Sequence, residues 1–380
     1  MSPDFKQISL FIIILSAICA GGFLIINTGY QQVVENTSYQ QVVENTSYQQ
    51  VVEKNITLVV PTPSSAIYLT DFGINGDGSD ESGKLQAAFS YAEANGIKQI
   101  IFPPEKTIGV NAAITTGHNQ ELVGNGCTIK LVDSSTINHQ AEFFRVHEGC
   151  YVHNLKFDGN MDNQSYAYGS WNGRPSSTNG VFLYSGVRFE NNEVFNVGAY
   201  SVTAYQQSNI IFKNNIIHDT RQYGVALKSD GMLCNNVQIV DNSFYNCYQT
   251  AIKLAGASNS LISGNSIIIP EKMPGNDDPE GITLYSLDYR NTGMTITNNT
   301  ITGHGGSSKG IRSQTSDNAL TKITNNQISN VSKGIIIRFN NGIVTGNTIS
   351  GCRQCIENHG NGNTVDNNIC EEDEPFFFNI

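Results

Sequence analysis

An asparagine recurs at intervals in the low twenties along most of this 380-residue chain. This asparagine is the last residue of a repeated motif, which consists of an apolar residue, a spacer, a second apolar residue, two turn residues and the asparagine. After a first anchor at Asn160, the later intervals are 23, 27, 23, 34, 27, 21 and 21 residues, between Asn192, Asn215, Asn242, Asn265, Asn299, Asn326, Asn347 and Asn368. Such a period, with β-branched residues at alternate positions, predicts a parallel β-solenoid in which each repeat forms one coil.

The choice of asparagine has a physical reason in such a stack. When equivalent turns repeat at about 4.8 Å, each side-chain amide can donate to one neighbour and accept from the other. A buried asparagine column is then fully hydrogen-bonded, so we interpret the anchors as structural. The apolar residues beside the anchors are expected to stack inside the tube.

The composition agrees with one long solenoid domain and argues against one class of partner. Only 14% of the residues are charged, the net charge is -11, and the sequence pI is about 5.1. A protein that binds a phosphate backbone needs a basic surface. We therefore expect no nucleic acid partner.

The N-terminal part predicts export and attachment to a membrane. Residues 8–26 form a stretch of 19 residues without a charge, which is long enough to cross about 30 Å of hydrocarbon. We assign residues 1–29 to an uncleaved transmembrane anchor, with a cleaved signal peptide and a secreted protein as the alternative. Residues 30–66 repeat YQQVVENTS and carry glycosylation sequons, so they predict a stalk. Residues 67–380 are expected to form the extracellular domain.

The cysteines allow one pairing prediction. Cys127 and Cys150 both follow glycine and lie 23 residues apart, which is one coil, so we expect them to be stacked or disulfide-bonded. Cys352 and Cys355 form a Cys-x-x-Cys sequence near the C-terminus. The sequence offers them no metal-binding or redox partners, and we interpret them as structural.

The segment 67–104 contains a specific motif. A Phe-Gly-x-x-Gly-Asp-Gly-x-x-Asp loop runs from Phe72 to Asp80, and apolar residues follow at helical spacing up to Gly96. This segment resembles the opening module of the pectate lyase superfamily. The resemblance implies an all-β, right-handed parallel β-helix over roughly residues 67–370, with an N-terminal helix that covers its exposed end. We interpret Asp77 and Asp80 as loop and capping residues.

The superfamily contains lyases, hydrolases, epimerases, tailspikes and non-catalytic surface proteins, so the residues must indicate the function. Two repeats carry insertions, at 161–179 and 269–280, and each insertion ends just before an equivalent strand. Four coils separate them, or about 19 Å, which predicts two walls of a cleft. Its floor is expected to consist of the outward-facing residues Thr203, Tyr205, Ala226, Lys228, Lys253 and Ala255, flanked by Tyr184 and Tyr285.

These residue types suit an acidic polysaccharide, pectate-like or alginate-like, or a cell-surface glycan. Tyrosine rings can stack on sugars, and lysines can bind a uronate carboxylate. Our first hypothesis adds cleavage by β-elimination, which needs a base and a positive group or Ca²⁺ at the carboxylate. The candidate catalytic residues are Lys253, Lys228 and Tyr285, with one lysine as the base. The candidate substrate-binding residues are Tyr184, Tyr205, Trp171 and Arg174, and the candidate calcium ligands are Asp277, Asp278 and Glu280.

Other functions receive less support from the residues. Hydrolysis needs paired carboxylates that flank the bond, and no acid precedes the strands at 224–231 and 250–256. The Asp278-Pro279-Glu280 sequence is similar to the Asp-Pro-His-Glu of mannuronan epimerases but lacks its histidine. His218 and Asp219 are interpreted as structural. A non-catalytic glycan-binding protein, adhesin or envelope component stays open as the alternative, because a membrane anchor and a stalk suit it.

Overall fold

The computed structural model describes residues 65–137, 141–164, 178–272, 278–285, 290–316 and 318–372, and only the backbone of 170–171 and 174–175. These residues belong to one compact unit, Ser64–Ile380. Parallel strands wind around a single apolar core and form three faces, which we call faces A, B and C, and most coils add one strand to each face. The predicted parallel β-solenoid is therefore confirmed.

Face A is a regular sheet of twelve short strands. Its strands are Ala66–Tyr68, Gln99–Ile101, Glu121–Val123, Tyr151–His153, Arg188–Glu190, Ile211–Lys213, Gln238–Val240, Leu261–Ser263, Thr295–Thr297, Lys322–Thr324, Ile343–Thr345 and Thr364–Asp366. The middle residue of nearly every strand is buried, and the residues on either side of it point outward.

Faces B and C are continuous with each other, because the two long strands Thr300–Ser313 and Gln327–Ile337 run from one to the other. The other strands of face B are Asp77–Asp80, Thr107–Val110, Thr128–Leu131, Lys156–Asp158, Glu193–Val197, Ile216–Thr220, Ser243–Cys247, Ser266–Ile268, Thr348–Cys352 and Ile369–Glu372. The other strands of face C are Ile114–Thr115, Glu142–Val146, Asn179–Leu183, Tyr200–Tyr205, Tyr223–Lys228, Thr250–Ala255, Glu280–Tyr285 and Gln354–Asn358.

The remaining elements are short. Two further two-stranded sheets pair Ser170–Trp171 with Arg174–Pro175 and Cys234–Asn235 with Ala257–Ser258. The 3-10 helices are Leu69–Phe72 and Met161–Asn163, and the α-helix is Ser82–Ala94.

The α-helix follows the loop that carries the superfamily motif. Its buried hydrophobic residues, Leu85, Ala88, Phe89 and Ala92, are apolar residues at the helical spacing noted in the sequence. Asp77 accepts hydrogen bonds from Ser79, and Asp80 accepts hydrogen bonds from Ser82 at the helix start. These contacts agree with loop and capping roles for the two aspartates. The role of the helix as an end cap stays a prediction.

The asparagine column forms as expected. Asn265 is typical: its side-chain amide donates to Asn299 Oδ1 and to a backbone carbonyl, both at 2.9 Å. Its own Oδ1 accepts from the backbone N–H and the side-chain amide of Asn242, both at 3.0 Å. The same amide-to-amide bond recurs from Asn215 to Asn368. A second, shorter column joins Asn291 to Asn318 at 3.0 Å and was not predicted.

The assignment of Asn160 to this column is wrong. The true anchors immediately precede strands of face B, whereas Asn160 follows the face B strand Lys156–Asp158. Its side-chain amide instead donates to the carbonyl of Leu131 at 2.9 Å. The backbone N–H of Leu155 takes the equivalent place and donates to Asn192 Oδ1 at 2.9 Å.

The predicted pairing of Cys127 with Cys150 is also wrong. Both thiols are free and buried, because the two residues lie at different corners of the coil. Cys127 precedes a strand of face B and Cys150 precedes a strand of face A. The disulfide joins Cys355 to Cys370, and the sulfur of Cys352 lies 3.3 Å from that of Cys355.

The predicted anchor (1–29) and stalk lie outside the described residues, except for the last two residues of the stalk range. In the part of the chain that the structure describes, no helix is long and apolar enough to cross a membrane.

Candidate functional site

The site is built on face C by a second repeated motif, in which an outward residue is followed by a small residue, glycine in most coils, and then by a buried apolar residue. The outward residue lies at equivalent positions in successive coils: Tyr200, Tyr223, Thr250, Glu280, Lys309 and Lys333. A second outward column lies beside it and contains Thr203, Ala226, Lys253, Thr283 and Arg312. Parallel register therefore brings residues from six coils onto one surface.

A polar cavity of about 380 Å³ lies between these columns. Its lining residues are Tyr223, Gln249, Thr250, Lys253, Asp278, Glu280, Thr283, Lys309, Arg312 and Gln314. The second predicted wall, at 269–280, contributes Asp278 and Glu280 to this cavity. The cavity lies further toward the C-terminus than the predicted floor, because Lys253 is the residue of that floor among its lining residues and the rest of the lining comes mainly from later coils.

Lys253 occupies the floor of the cavity. Its ammonium donates a hydrogen bond to the phenol oxygen of Tyr223 at 2.8 Å. The ammonium also lies 4.2 Å from the centroid of the Tyr223 ring and 4.5 Å from that of Tyr285. A cation between two aromatic rings is stabilised by their quadrupoles and is held in one position.

Glu280 is the centre of a buried ionic network. It is 5% exposed, and its carboxylate accepts hydrogen bonds from Arg312 and from the hydroxyl of Thr283. Lys309 lies 3.6 Å from the same carboxylate. A buried carboxylate needs such partners, since an unpaired buried charge is strongly unfavourable.

Asp278 lies at the rim of the cavity and is held by two lysines. Its carboxylate oxygens are 2.7 Å from Lys272 and 3.1 Å from Lys309. Burial by itself would raise the pKa of this carboxyl. Hydrogen bonds from Lys272, Ser307 and Lys309 outweigh burial and hold the pKa of Asp278 below its usual range.

The lining has an excess of positive charge. Among the described lining residues, Lys253, Lys309 and Arg312 face two carboxylates, so these residues together carry one excess positive charge within a chain whose net charge is -11. Asp278 and Glu280, proposed from the sequence as calcium ligands, both contact cationic side chains. Asp277 lies outside the described residues. Calcium at these carboxylates stays a prediction.

The second candidate base, Lys228, lies in a different outward column from Lys253. Its register partners are Tyr205 and Ala255, and Tyr285 follows in the same column. Its ammonium lies 3.9 Å from the centroid of the Tyr200 ring, outside the lining of the cavity. Burial lowers the pKa of Lys228.

The predicted aromatic residues are placed along the face. Tyr205 is 38% exposed in the column of Lys228, and the Tyr285 ring contacts the ammonium of Lys253. The Tyr184 ring instead packs against His147, with centroids 4.7 Å apart, away from the cavity. Trp171 and Arg174 pair through their backbones in a small antiparallel hairpin, and their side chains lie outside the description.

The sequence analysis did not identify the contributions of Tyr223, Lys309 and Arg312. A sequence signal for Tyr223 and Lys309 was present, because Tyr-Gly-Val at 223–225, Glu-Gly-Ile at 280–282 and Lys-Gly-Ile at 309–311 repeat the same motif. The residue before the glycine is the outward one in each case. His218, in contrast, stacks between Phe195 and Tyr245 on face B, as expected of a structural residue.

Comparisons with known proteins agree with this architecture. Residues 179–301 match the family model of the right handed beta helix region. No curated protein matches the chain at a significant level. Among solved structures, the DFA-IIIase from Arthrobacter chlorophenolicus A6 is similar, with a TM-score of 0.56 and 11% identity over 82% of this chain and 87% of that one.

Two further structures are similar at the same level. The Dettilon tailspike protein gives a TM-score of 0.55 and 14% identity over 80% of this chain and 62% of that one. The Streptococcus pneumoniae surface protein and adhesin PfbA gives 0.52 and 14% identity over 81% of this chain and 99% of that one. These likenesses show the fold, so the chain is a right-handed parallel β-helix, as its superfamily resemblance implied.

Proposed function

We propose that face C binds an acidic polysaccharide, with one uronate carboxylate in the cavity beside Lys253. The observation that carries this proposal is the excess positive charge of the cavity in an acidic protein. A carboxylate that enters it gains cationic hydrogen-bond donors in a partly water-excluded place. The ring of Tyr205, which is 38% exposed on the same face, offers an apolar surface for a neighbouring sugar.

The shape of the surface also suits a polymer rather than a small molecule. Outward residues repeat at about 4.8 Å along the coil axis, and a polysaccharide chain can contact several coils at once. Tyr205 lies two coils before Lys253, Lys228 lies one coil before it, and Arg312 lies two coils after it. Several weak contacts along one chain can add to a useful affinity.

A second candidate function is cleavage by β-elimination, and the position of Lys253 among the lining residues of the cavity, where a uronate would lie, favours it. In that reaction a base removes the proton next to the uronate carboxylate, a carbon-carbon double bond forms, and the glycosidic carbon-oxygen bond breaks. The leaving oxygen then takes a proton. Lys253 is the proposed base, with Lys228 as the alternative, and Arg312 neutralises the carboxylate. A Ca²⁺ ion held by Asp278 and Glu280 would supply the same positive charge.

One experiment separates binding from cleavage. The full-length protein is incubated with polygalacturonate and with alginate, with calcium and with a chelator, and the absorbance of unsaturated uronate is followed. Sustained activity that Lys253→Ala removes supports the lyase. Binding without activity on either polymer supports the non-catalytic glycan-binding protein, and absence of binding to both refutes the proposal.

The cellular setting remains part of the proposal. A membrane anchor at 1–29 and a stalk at 30–66 would present face C outside the cell, where polysaccharides occur. That placement suits a surface glycan-binding protein as well as a lyase.

A further inference from the structure

A cluster of imidazole and carboxylate groups lies at the N-terminal part of the β-helix, separate from the cavity. The ring nitrogens His118 Nε2 and His147 Nδ1 are 3.1 Å apart. A carboxylate oxygen of Glu148 lies 3.2 Å from the first and 3.9 Å from the second. Three ligand atoms of types that bind transition metals therefore converge on one point.

We propose that His118, His147 and Glu148 form a binding site for a divalent transition metal ion of the zinc type. In tetrahedral zinc sites, bonds of about 2.0–2.1 Å place neighbouring ligand atoms about 3.3 Å apart. Two of the three separations in the cluster lie close to this value. Glu148, with a side chain that is 48% exposed, can approach further at little cost.

A fourth residue orients the first ligand. Glu93, at the end of the helix Ser82–Ala94, accepts a hydrogen bond from His118 Nδ1 at 3.0 Å and another from the His118 backbone N–H at 2.7 Å. Because a carboxylate only accepts, Nδ1 carries the proton and Nε2 faces the proposed metal. This arrangement of carboxylate, histidine and metal is how proteins fix a ligating imidazole.

The same contacts favour a cation in the space between His118 Nε2, His147 Nδ1 and the Glu148 carboxylate. With Nδ1 of His118 donating to Glu93, the Nε2 lone pair would otherwise face the Glu148 carboxylate oxygen at 3.2 Å. Two acceptors at that distance repel each other unless a proton or a metal ion lies between them. A metal satisfies all three atoms at once, whereas one proton cannot.

The surroundings leave one coordination position open. The three ligands belong to two loops, one before the strand Glu121–Val123 and one after the strand Glu142–Val146. The rings of His118 and Tyr184 both pack on His147. A tetrahedral ion that is bound by these three side chains has a fourth coordination position, which water or an oxygen of a bound molecule can fill.

The test is titration of the untagged full-length protein with Zn²⁺ by calorimetry. We expect one ion per chain, a higher Tm with zinc, and loss of both effects in His118→Ala and His147→Ala. Glu148→Gln at an exposed position serves as a further variant if either alanine variant fails to fold. Glu93→Gln, a positioning residue, should weaken zinc binding by about 10- to 100-fold.

The matched control is His153→Ala, which removes another histidine paired with a glutamate, since His153 Nε2 lies 3.2 Å from Glu121. Zinc binding at one equivalent that survives this control and fails in the cluster variants supports the site. Absence of binding, or binding that the cluster variants leave unchanged, overturns it.

Discussion

The ammonium nitrogen of Lys253 lies 2.8 Å from the phenol oxygen of Tyr223, which belongs to the preceding coil. The two residues are 30 positions apart in the chain and become neighbours only because the coils stack in register. This contact fixes the lysine that the proposed function places at the substrate carboxylate. Its removal should therefore affect ligand binding more than folding.

We expect Tyr223→Phe to lower the affinity for polygalacturonate oligomers about tenfold. The variant keeps the ring but removes the hydroxyl that orients the ammonium, and a hydrogen bond to a charged group contributes about 1.5–3 kcal/mol. Calorimetric titration measures the change. Tyr245→Phe on face B is the control, and an equal loss of affinity in both variants would contradict the assignment.

Arg312→Ala should lower the free energy of unfolding by about 2–3 kcal/mol, because it removes a charged partner of the buried Glu280. Urea unfolding monitored by circular dichroism measures the effect. Arg188→Ala, in the exposed pair with Glu190, should cost less than about 1 kcal/mol. If both variants lose the same stability, the network around Glu280 has no special role.

Asn265→Ala should cost about 3 kcal/mol or more, since it breaks hydrogen bonds on both sides of the asparagine column. Asn368→Ala at the end of the same column should cost only about 1 kcal/mol, because its neighbour Asn347 donates to it from one side alone. Urea unfolding again provides the comparison. Equal costs at the two positions would mean that the column does not behave as a continuous hydrogen-bonded stack.

The Glu193 carboxylate should make stability depend on pH in the acid range. Burial alone would raise the pKa of Glu193, but hydrogen bonds from His218 and Lys156 outweigh it and lower the pKa. Because the carboxyl pKa is lower in the folded state, ionised Glu193 stabilises the fold. This stabilisation is fully present above the unfolded pKa of about 4.3 and is lost as the pH falls through the folded pKa.

The stability difference between the wild type and Glu193→Gln should therefore be largest near pH 6 and shrink as the pH falls below about 4. Unfolding experiments at a series of pH values measure it. A difference that stays constant over this range would show that Glu193 does not contribute through its charge.

Much of the fold could be predicted from the sequence, because a hydrogen-bonded asparagine column requires one asparagine in each coil, and this periodic spacing is typical of a β-solenoid. Asn215 and Asn242 lie 27 residues apart, and the same atoms meet in each coil. The repeat period alone does not show at which corner or on which face of the coil a given residue lies. Cys127 and Cys150 are one period apart but lie at different corners, and the actual disulfide joins Cys355 to Cys370 only 15 residues away.

The candidate site could be predicted only in part. Alternation correctly placed Lys253 in an outward column, since side chains on a strand alternate between the two sides. The cavity itself depends on ion pairs between coils, such as Glu280 with Arg312. Those pairs depend on how side chains from neighbouring strands pack against each other. The repeat period of the sequence does not predict which side chains will form them.

The central claim is that the cavity on face C binds the carboxylate of an acidic sugar, and one comparison of ligands tests it directly. The full-length protein is titrated with an oligogalacturonate and with its methyl ester, which has the same shape but no negative charge. We predict that the acid binds at least about tenfold more tightly and that Lys253→Ala abolishes this preference. Equal affinity for the two ligands, or a preference that Lys253→Ala leaves intact, would contradict the account.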